Sequence, residues 1–292
     1  MSLAVQARFG RIPARLAARM RKTLGSALGK RWCALGVLAA VLAAPAARAR
    51  ADERVFTYSY EPKVLPKDAL EFEQWATLRA GKEDGVFSRW DLRTEFEYGL
   101  LDQLTTALYL NFESLHIDRD EEQVDEFEFK GLSSEWKWKF LDPTADPIGV
   151  LGYFEATTNF EDVELEEKLV LGKNFDRVVL AFNAICEQEW EFENEETETE
   201  LAVEFTAGVA YRFTDRFAVG VEAREVNVFP DMENLEHAAV FLGPTLHYNT
   251  NRWWATLTFL PQVAGLRGDT QDGLNLDEFE RMEVRLIFGI HF

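Results

Sequence analysis

The chain has 292 residues, with 31 Lys and Arg against 51 Asp and Glu for a formal charge of −20, and such a surface repels phosphate backbones and excludes nucleic acid as a partner. Its cysteines, Cys33 and Cys186, are too few for the cysteine-rich metal patterns. After residue 51 no apolar run approaches the length of a spanning helix, so only a closed β-barrel would carry this chain across a bilayer.

The first 51 residues stand apart. They contain no acid but hold Arg8, Arg11, Arg15, Arg19, Arg21, Lys22, Lys30, Arg31, Arg48 and Arg50. An apolar run over 33–44 is broken by Pro45 and closed by Ala49, Arg50 and Ala51, a small-x-small cleavage site before Asp52. The pattern is that of a cleaved secretory signal peptide over 1–51, with Met20 as an alternative start. Cys33 stands at the start of the apolar run and not after it, so there is no lipoprotein cleavage box. Cleavage leaves 21 bases against 51 acids, a charge of −30 that attracts cations. Only Cys186 then remains, so no intrachain disulfide forms, and the mature length fits one domain.

Residues 52–69 contain Pro62 and Pro66, which bar the segment from a central strand position. Two readings stay open, a periplasmic leader or a plug folded into a lumen. From residue 70 onward, about twelve segments alternate with period two, the signature of a transmembrane barrel. They cover 70–79, 88–100, 104–117, 127–140, 148–158, 163–172, 178–192, 201–213, 217–227, 238–248, 253–262 and 282–292. An even count places both ends on the periplasmic side.

The connections alternate in character. Those at 101–103, 173–177, 214–216 and 249–252 are tight and polar, whereas 118–126, 193–200, 229–237 and 264–281 are longer and mostly acidic. Short turns belong inside and long loops outside. The connections 141–147, fairly long, and 159–162, short, break the rule.

One face of the segments is apolar. It carries Trp90, Leu92, Phe96, Tyr98 and Leu100, then Leu104, Leu108, Leu110 and Phe112, then Trp136, Trp138 and Phe140, then Val203, Phe205, Val209, Tyr211 and Phe213. These are expected to meet lipid, with Trp90, Tyr98, Trp138, Trp190, Tyr211, Tyr248 and Trp253 at headgroup level. Aromatic residues are also simply good strand formers, so the argument rests on their collective placement.

The other face is charged. It presents Arg89, Asp91, Arg93, Glu95 and Glu97; Glu135, Lys137 and Lys139; Glu164, Glu166 and Lys168; Glu187, Glu189 and Glu191; Glu204 and Arg212; Glu222 and Arg224; Glu283 and Arg285. Acids outnumber bases, and dry burial of unpaired carboxylates costs several kcal/mol each, so the expected lumen is wet and narrow. The nearby sequence Gly268-Asp269 to Asp272-Gly273 lacks the register and terminal Glu of a calcium loop and reads as an acidic connection.

The last segment places Met282, Val284, Leu286, Phe288, Ile290 and Phe292 on one side and ends on the aromatic residue. It resembles the carboxy-terminal assembly signal of bacterial outer-membrane barrels, with Phe288, Ile290 and Phe292 as its core. Phe56-Thr-Tyr-Ser-Tyr-Glu-Pro, Leu65-Pro-Lys, Glu71-Phe-Glu-Gln-Trp75 and Phe241-Leu-Gly-Pro-Thr-Leu-His-Tyr248 are similar to segments of an uncharacterised group of such barrels. The resemblance implies a Gram-negative outer-membrane, porin- or transporter-like fold without an assigned substrate. It implies lipid, lipopolysaccharide and the barrel-assembly machinery as surroundings.

The functional expectation is a narrow channel for small solutes or cations, without cofactor, metal or catalytic residue. A non-conducting structural or surface barrel is the alternative. A third reading follows from Ser114 and His116, which resemble the lipid-facing pair of outer-membrane phospholipase A. Their order is reversed from that family's, and no Asn on the adjacent strand orients the imidazole, so the expectation is a non-enzyme.

Overall fold

A computed structural model describes residues 53–119, 122–159, 162–193 and 196–292; the expected signal peptide and cleavage site lie outside the described residues. The strands are β1 Leu70–Ala80, β2 Val86–Leu101, β3 Leu104–Arg119, β4 Glu122–Leu141, β5 Gly149–Thr158, β6 Asp162–Phe175, β7 Val178–Glu193, β8 Glu196–Arg212, β9 Phe217–Pro230, β10 His237–Asn249, β11 Trp253–Arg267 and β12 Met282–His291. Each pairs antiparallel with its sequence neighbours, and β1 closes on β12 from Glu71↔His291 to Ala80↔Met282. The result is a closed up-and-down barrel of twelve strands.

Every segment expected from periodicity is present. The differences lie at the loop side. The expected acidic loops 118–126 and 193–200 are largely strand, because Arg119 pairs with Glu122 and Glu193 with Glu196. A ladder needs only paired backbone groups, and Val124, Thr197 and Thr199 within these stretches favour extended chain. β4 has 20 residues, about 65 Å at ~3.3 Å per residue, roughly twice what crosses a bilayer. These hairpins therefore stand beyond the hydrocarbon.

The two faces are inverted relative to a water-soluble protein. Leu108 on β3 is 64% exposed, whereas Glu135 on β4 is fully buried. Phe96, Phe140, Leu169, Val209, Leu246 and Leu257 likewise point outward. An apolar belt around a charged interior is stable only with hydrocarbon as its neighbour.

The long connection 268–281 folds back against the inner wall. Leu276 and Phe279 are buried, and Phe279 meets the Phe241 ring edge-on at 6.3 Å. Gln262 accepts the Asn275 amide at 2.6 Å and donates to the Asn275 and Glu280 carbonyls. The exposed Asp269 and Asp272 remain outside this packing.

Leu108→Arg is expected to cost about 2–4 kcal/mol near the bilayer midplane. Urea titration in lipid vesicles, read by the heat-dependent gel shift of folded barrels, measures it. Unchanged stability would mean that Leu108 does not face lipid.

Candidate functional site

Residues 53–69 run around the inside of the turn-side mouth. Glu53 lies 3.8 Å from His291 of β12 and 4.0 Å from His247 of β10. The Arg54 carbonyl accepts Thr256 Oγ1 of β11 at 2.5 Å, and the Val55 carbonyl accepts Thr245 Oγ1 of β10 at 3.3 Å. Thr57, Tyr58 and Ser59 donate their amides to Glu222 of β9 at 3.0, 3.0 and 2.8 Å. Tyr60 donates to Asn183 Oδ1 of β7 at 2.6 Å, and Asn183 Nδ2 returns to the Tyr60 carbonyl at 3.0 Å. Leu65 donates to Thr105 Oγ1 of β3 at 2.8 Å. The chain thus passes the wall in roughly falling strand order and enters β1 at Leu70.

Glycines clear its path. A Cβ on Gly208 of β8 would lie 2.7 Å from the Phe56 ring, and one on Gly99 of β2 would lie 2.0 Å from the Pro66 carbonyl oxygen. Gly149 and Gly172 make the same room for Pro62. Val55, Phe56, Thr57, Ser59 and Leu65 are consequently fully buried.

Stacked cations fix the rings of this plug. Arg54 sits 3.7 Å over Tyr60 and 4.6 Å over Trp75, and donates to the Thr57 carbonyl at 3.1 Å. Arg285 of β12 sits 3.9 Å over Tyr58, and Lys168 of β6 lies 4.2 Å from both Tyr60 and Tyr153. Glu61 closes the plug on itself by accepting the Val55 amide at 2.8 Å and pairing with Lys63 at 2.6 Å. Burial alone would push the Glu61 carboxyl up, but Lys63 and the Val55 amide hold it below its ordinary range.

Above the plug is a cup of about 310 Å³ with Tyr58, Tyr60 and Trp75 among its lining. Arg79, Arg93 and Arg285 stand on β1, β2 and β12; Glu164, Glu166, Glu187, Glu189 and Glu204 stand on β6, β7 and β8. In a ring of twelve strands these two groups face each other across the bore. Arg79 pairs with Asp91 at 2.7 Å, Arg93 with Glu155 at 3.2 Å, and Arg224 with Glu204 at 2.5 Å and Glu283 at 2.8 Å.

Residues 48–292 match the model of a family of unknown function (DUF6662). The chain belongs to that family. No curated protein matches it in sequence. Among solved structures it is similar to the NanC porin, at 9% identity over 75% of this chain and 98% of that one, with a TM-score of 0.49. It is also similar to the KdgM porin, solved in complex with disordered oligogalacturonate, at 9% identity over 77% and 99%, TM-score 0.48. The translocator domain of the autotransporter NalP from Neisseria meningitidis aligns at 9% identity over 95% and 98%, TM-score 0.46. Neither substrate nor mechanism follows from likeness at this level.

In this DUF6662 member the charged residues read from the sequence fall into separate groups. Asp91, Arg93, Glu204, Arg224 and Arg285 line the cup. Glu95, Glu97, Glu135 and Lys137 are buried together, with Lys137 bridging Glu97 and Glu135. Glu222 anchors the plug, and Glu283 lies between Arg79 and Arg224. Arg89 pairs with Asp91 at 3.1 Å, Lys139 reaches Asp142 at 3.4 Å, and Arg212 adds positive charge near Glu61. Of the aromatic residues, Trp90, Trp138, Tyr211, Tyr248 and Trp253 are exposed, while Tyr98 and Trp190 are half-buried. Trp253 links Tyr248 at 5.6 Å to Phe288 at 5.9 Å, and Ile290 pairs across to both Phe72 and Trp253. The Phe292 amide donates to the Leu70 carbonyl at 3.1 Å.

Sequence reading missed the inward Trp75, Tyr109, Tyr153 and Trp254 and the seat residues Asn183, Thr105, Thr245 and Thr256. Asn183 left a trace as a lone polar residue inside an apolar run. Ser114 and His116 point outward on β3, with Asp125 directly across from His116. No hydrogen bond joins the three among the described residues.

Replacing Glu222 with Ala removes the acceptor of three buried amides, a loss of about 1–3 kcal/mol for each group left unsatisfied. Hydrogen exchange of Thr57, Tyr58 and Ser59 is expected to accelerate at least tenfold while the folded gel mobility persists. Unchanged exchange would show that Glu222 does not hold the plug.

Proposed function

We propose that this chain is a Gram-negative outer-membrane barrel that passes small solutes, cations ahead of anions, when its N-terminal segment leaves the lumen. The observation that carries the reading is the nature of the closure. The bore is blocked by a non-covalently seated strand of chain held by wall side chains, beneath a polar cup, and not by collapse of the wall itself. Cation preference is supported by Glu164, Glu187 and Glu189, which have no basic partner within ion-pair distance among the described residues. The apolar belt suits outer-membrane lipid and lipopolysaccharide. The aromatic end of β12 suits recognition by the barrel-assembly machinery.

A non-conducting surface barrel is the second reading. It is favoured by the seat itself, in which the amides of Thr57, Tyr58, Ser59, Tyr60 and Leu65 each donate to a side chain of the wall.

Planar-bilayer conductance decides between them. Full-length protein is expected to show rare, brief openings. A variant lacking residues 53–66 is expected to conduct steadily, with a reversal potential showing cation preference. A deletion variant that folds and does not conduct would leave the surface-barrel reading, and anion preference would reject the role of the acidic wall.

Acid should loosen the plug. The Glu61 carboxyl is held below its ordinary range, so its contribution is full above that range and is lost as pH falls through the depressed value. Openings of the full-length protein are therefore expected to become more frequent only below the ordinary glutamate range. Glu61→Gln is expected to open as often at neutral pH as wild type does in acid.

A further inference from the structure

We infer that the cup recognises a small zwitterion, its carboxylate taken by Arg285 and its ammonium by the carboxylates of β6 and β7. The inference names a solute class for the channel proposed above and rests on that reading only in taking the cup to open outward. Its volume of about 310 Å³ lies at the lower end of ligand pockets.

Arg285 is the unusual cation of this cavity. Its neighbours Arg79, Arg93 and Arg224 are each committed to carboxylates, whereas Arg285 has no carboxylate within ion-pair distance among the described residues. It donates Nε to Thr77 Oγ1 at 2.9 Å and one terminal nitrogen to the Thr57 carbonyl at 3.3 Å. A guanidinium has five N–H donors, so donors remain for a carboxylate. Glu283, two residues away on the same face, holds Arg79 and Arg224 through Oε1 and does not come within ion-pair distance of Arg285. The Tyr58 ring lies 3.9 Å beneath the guanidinium and forms its floor.

The opposite wall has the reverse imbalance. Lys168 pairs only with Glu166 there, leaving Glu164, Glu187 and Glu189 without a base within ion-pair distance among the described residues. A simple cation would satisfy that wall alone, and a simple anion would satisfy Arg285 alone. A solute with both charges satisfies both and lies across the Tyr58 and Tyr60 rings between them.

Titration calorimetry on the full mature protein in detergent tests this with glycine, 4-aminobutyrate and 6-aminohexanoate, and with butyrate and butylamine as singly charged controls. One zwitterion length is expected to bind at least tenfold tighter than either control. Arg285→Gln should reduce it to the level of butylamine, and Glu164→Gln with Glu187→Gln to the level of butyrate. The two glutamates make no hydrogen bond to the plug, so their variants report on the cup even if the arginine variant unseats the floor. Butylamine binding as tightly as the best zwitterion would reduce the cup to a cation site. Butyrate doing so would reduce it to an anion site, and either result overturns the inference. So does failure of every probe to bind at millimolar concentration. That last failure, beside a conducting deletion variant, would remove the zwitterion and leave the channel.

Discussion

The ladder between β1 and β12 is the contact on which the rest of the molecule depends. Without it, the ten register pairs from Glu71↔His291 to Ala80↔Met282 would become two open edges, each unpaired group costing several kcal/mol in hydrocarbon. Closure assigns one face of every strand to lipid and the other to a shared interior. The seam is also tied from within. Glu71 accepts Trp254 Nε1 at 2.5 Å and lies 3.0 Å from His291 Nδ1, while Glu53 approaches the same imidazole.

Filling that interior with non-strand chain poses the same requirement in another form. Residues 53–69 cannot join the ladder, since Pro62 and Pro66 lack donors and the wall strands are already paired on both sides. Their amides and carbonyls must be met by side chains, and the wall supplies a carboxylate, an amide and three hydroxyls at matching heights. Close approach then demands missing side chains, which explains glycine at 99 and 208 in strands otherwise rich in bulky residues.

This division determines what was legible beforehand. The strand number, alternation and outward residues could be read because each position answers to one of two solvents, a local property visible in period two. Glu122 to Glu126 and Glu196 to Glu200 could not be read as strand, since beyond the bilayer the solvent is the same on both sides and the alternation loses its meaning. The seat of the plug was illegible for a different reason. Asn183 and Glu222 matter through residues 123 and 163 to 165 positions away, and nothing in their own surroundings marks them as acceptors for a specific amide. Trp75 and Trp254 were missed because an aromatic residue on the charged face looks like a break in the pattern until the plug provides its packing.

The acidic excess of the inner face serves two purposes that composition merges. Glu73, Glu95, Glu97 and Glu135 are buried on neighbouring strands, and neither oxygen of Glu95 accepts a hydrogen bond from a described donor. Carboxylates so placed need positive charge nearby. Lys137 supplies one cation from the wall, and the plug brings another, because the buried Arg54 lies within the fields of Glu73 and Glu95 while stacking on Tyr60 and Trp75. Part of the negative charge that sequence reading assigned to a wet lumen is therefore the counter-charge of the plug itself. Glu164, Glu187 and Glu189, on β6 and β7, have no base within ion-pair distance among the described residues and face the cup. The wall is thus acidic at one depth where it holds the segment and at another where it borders the open cup.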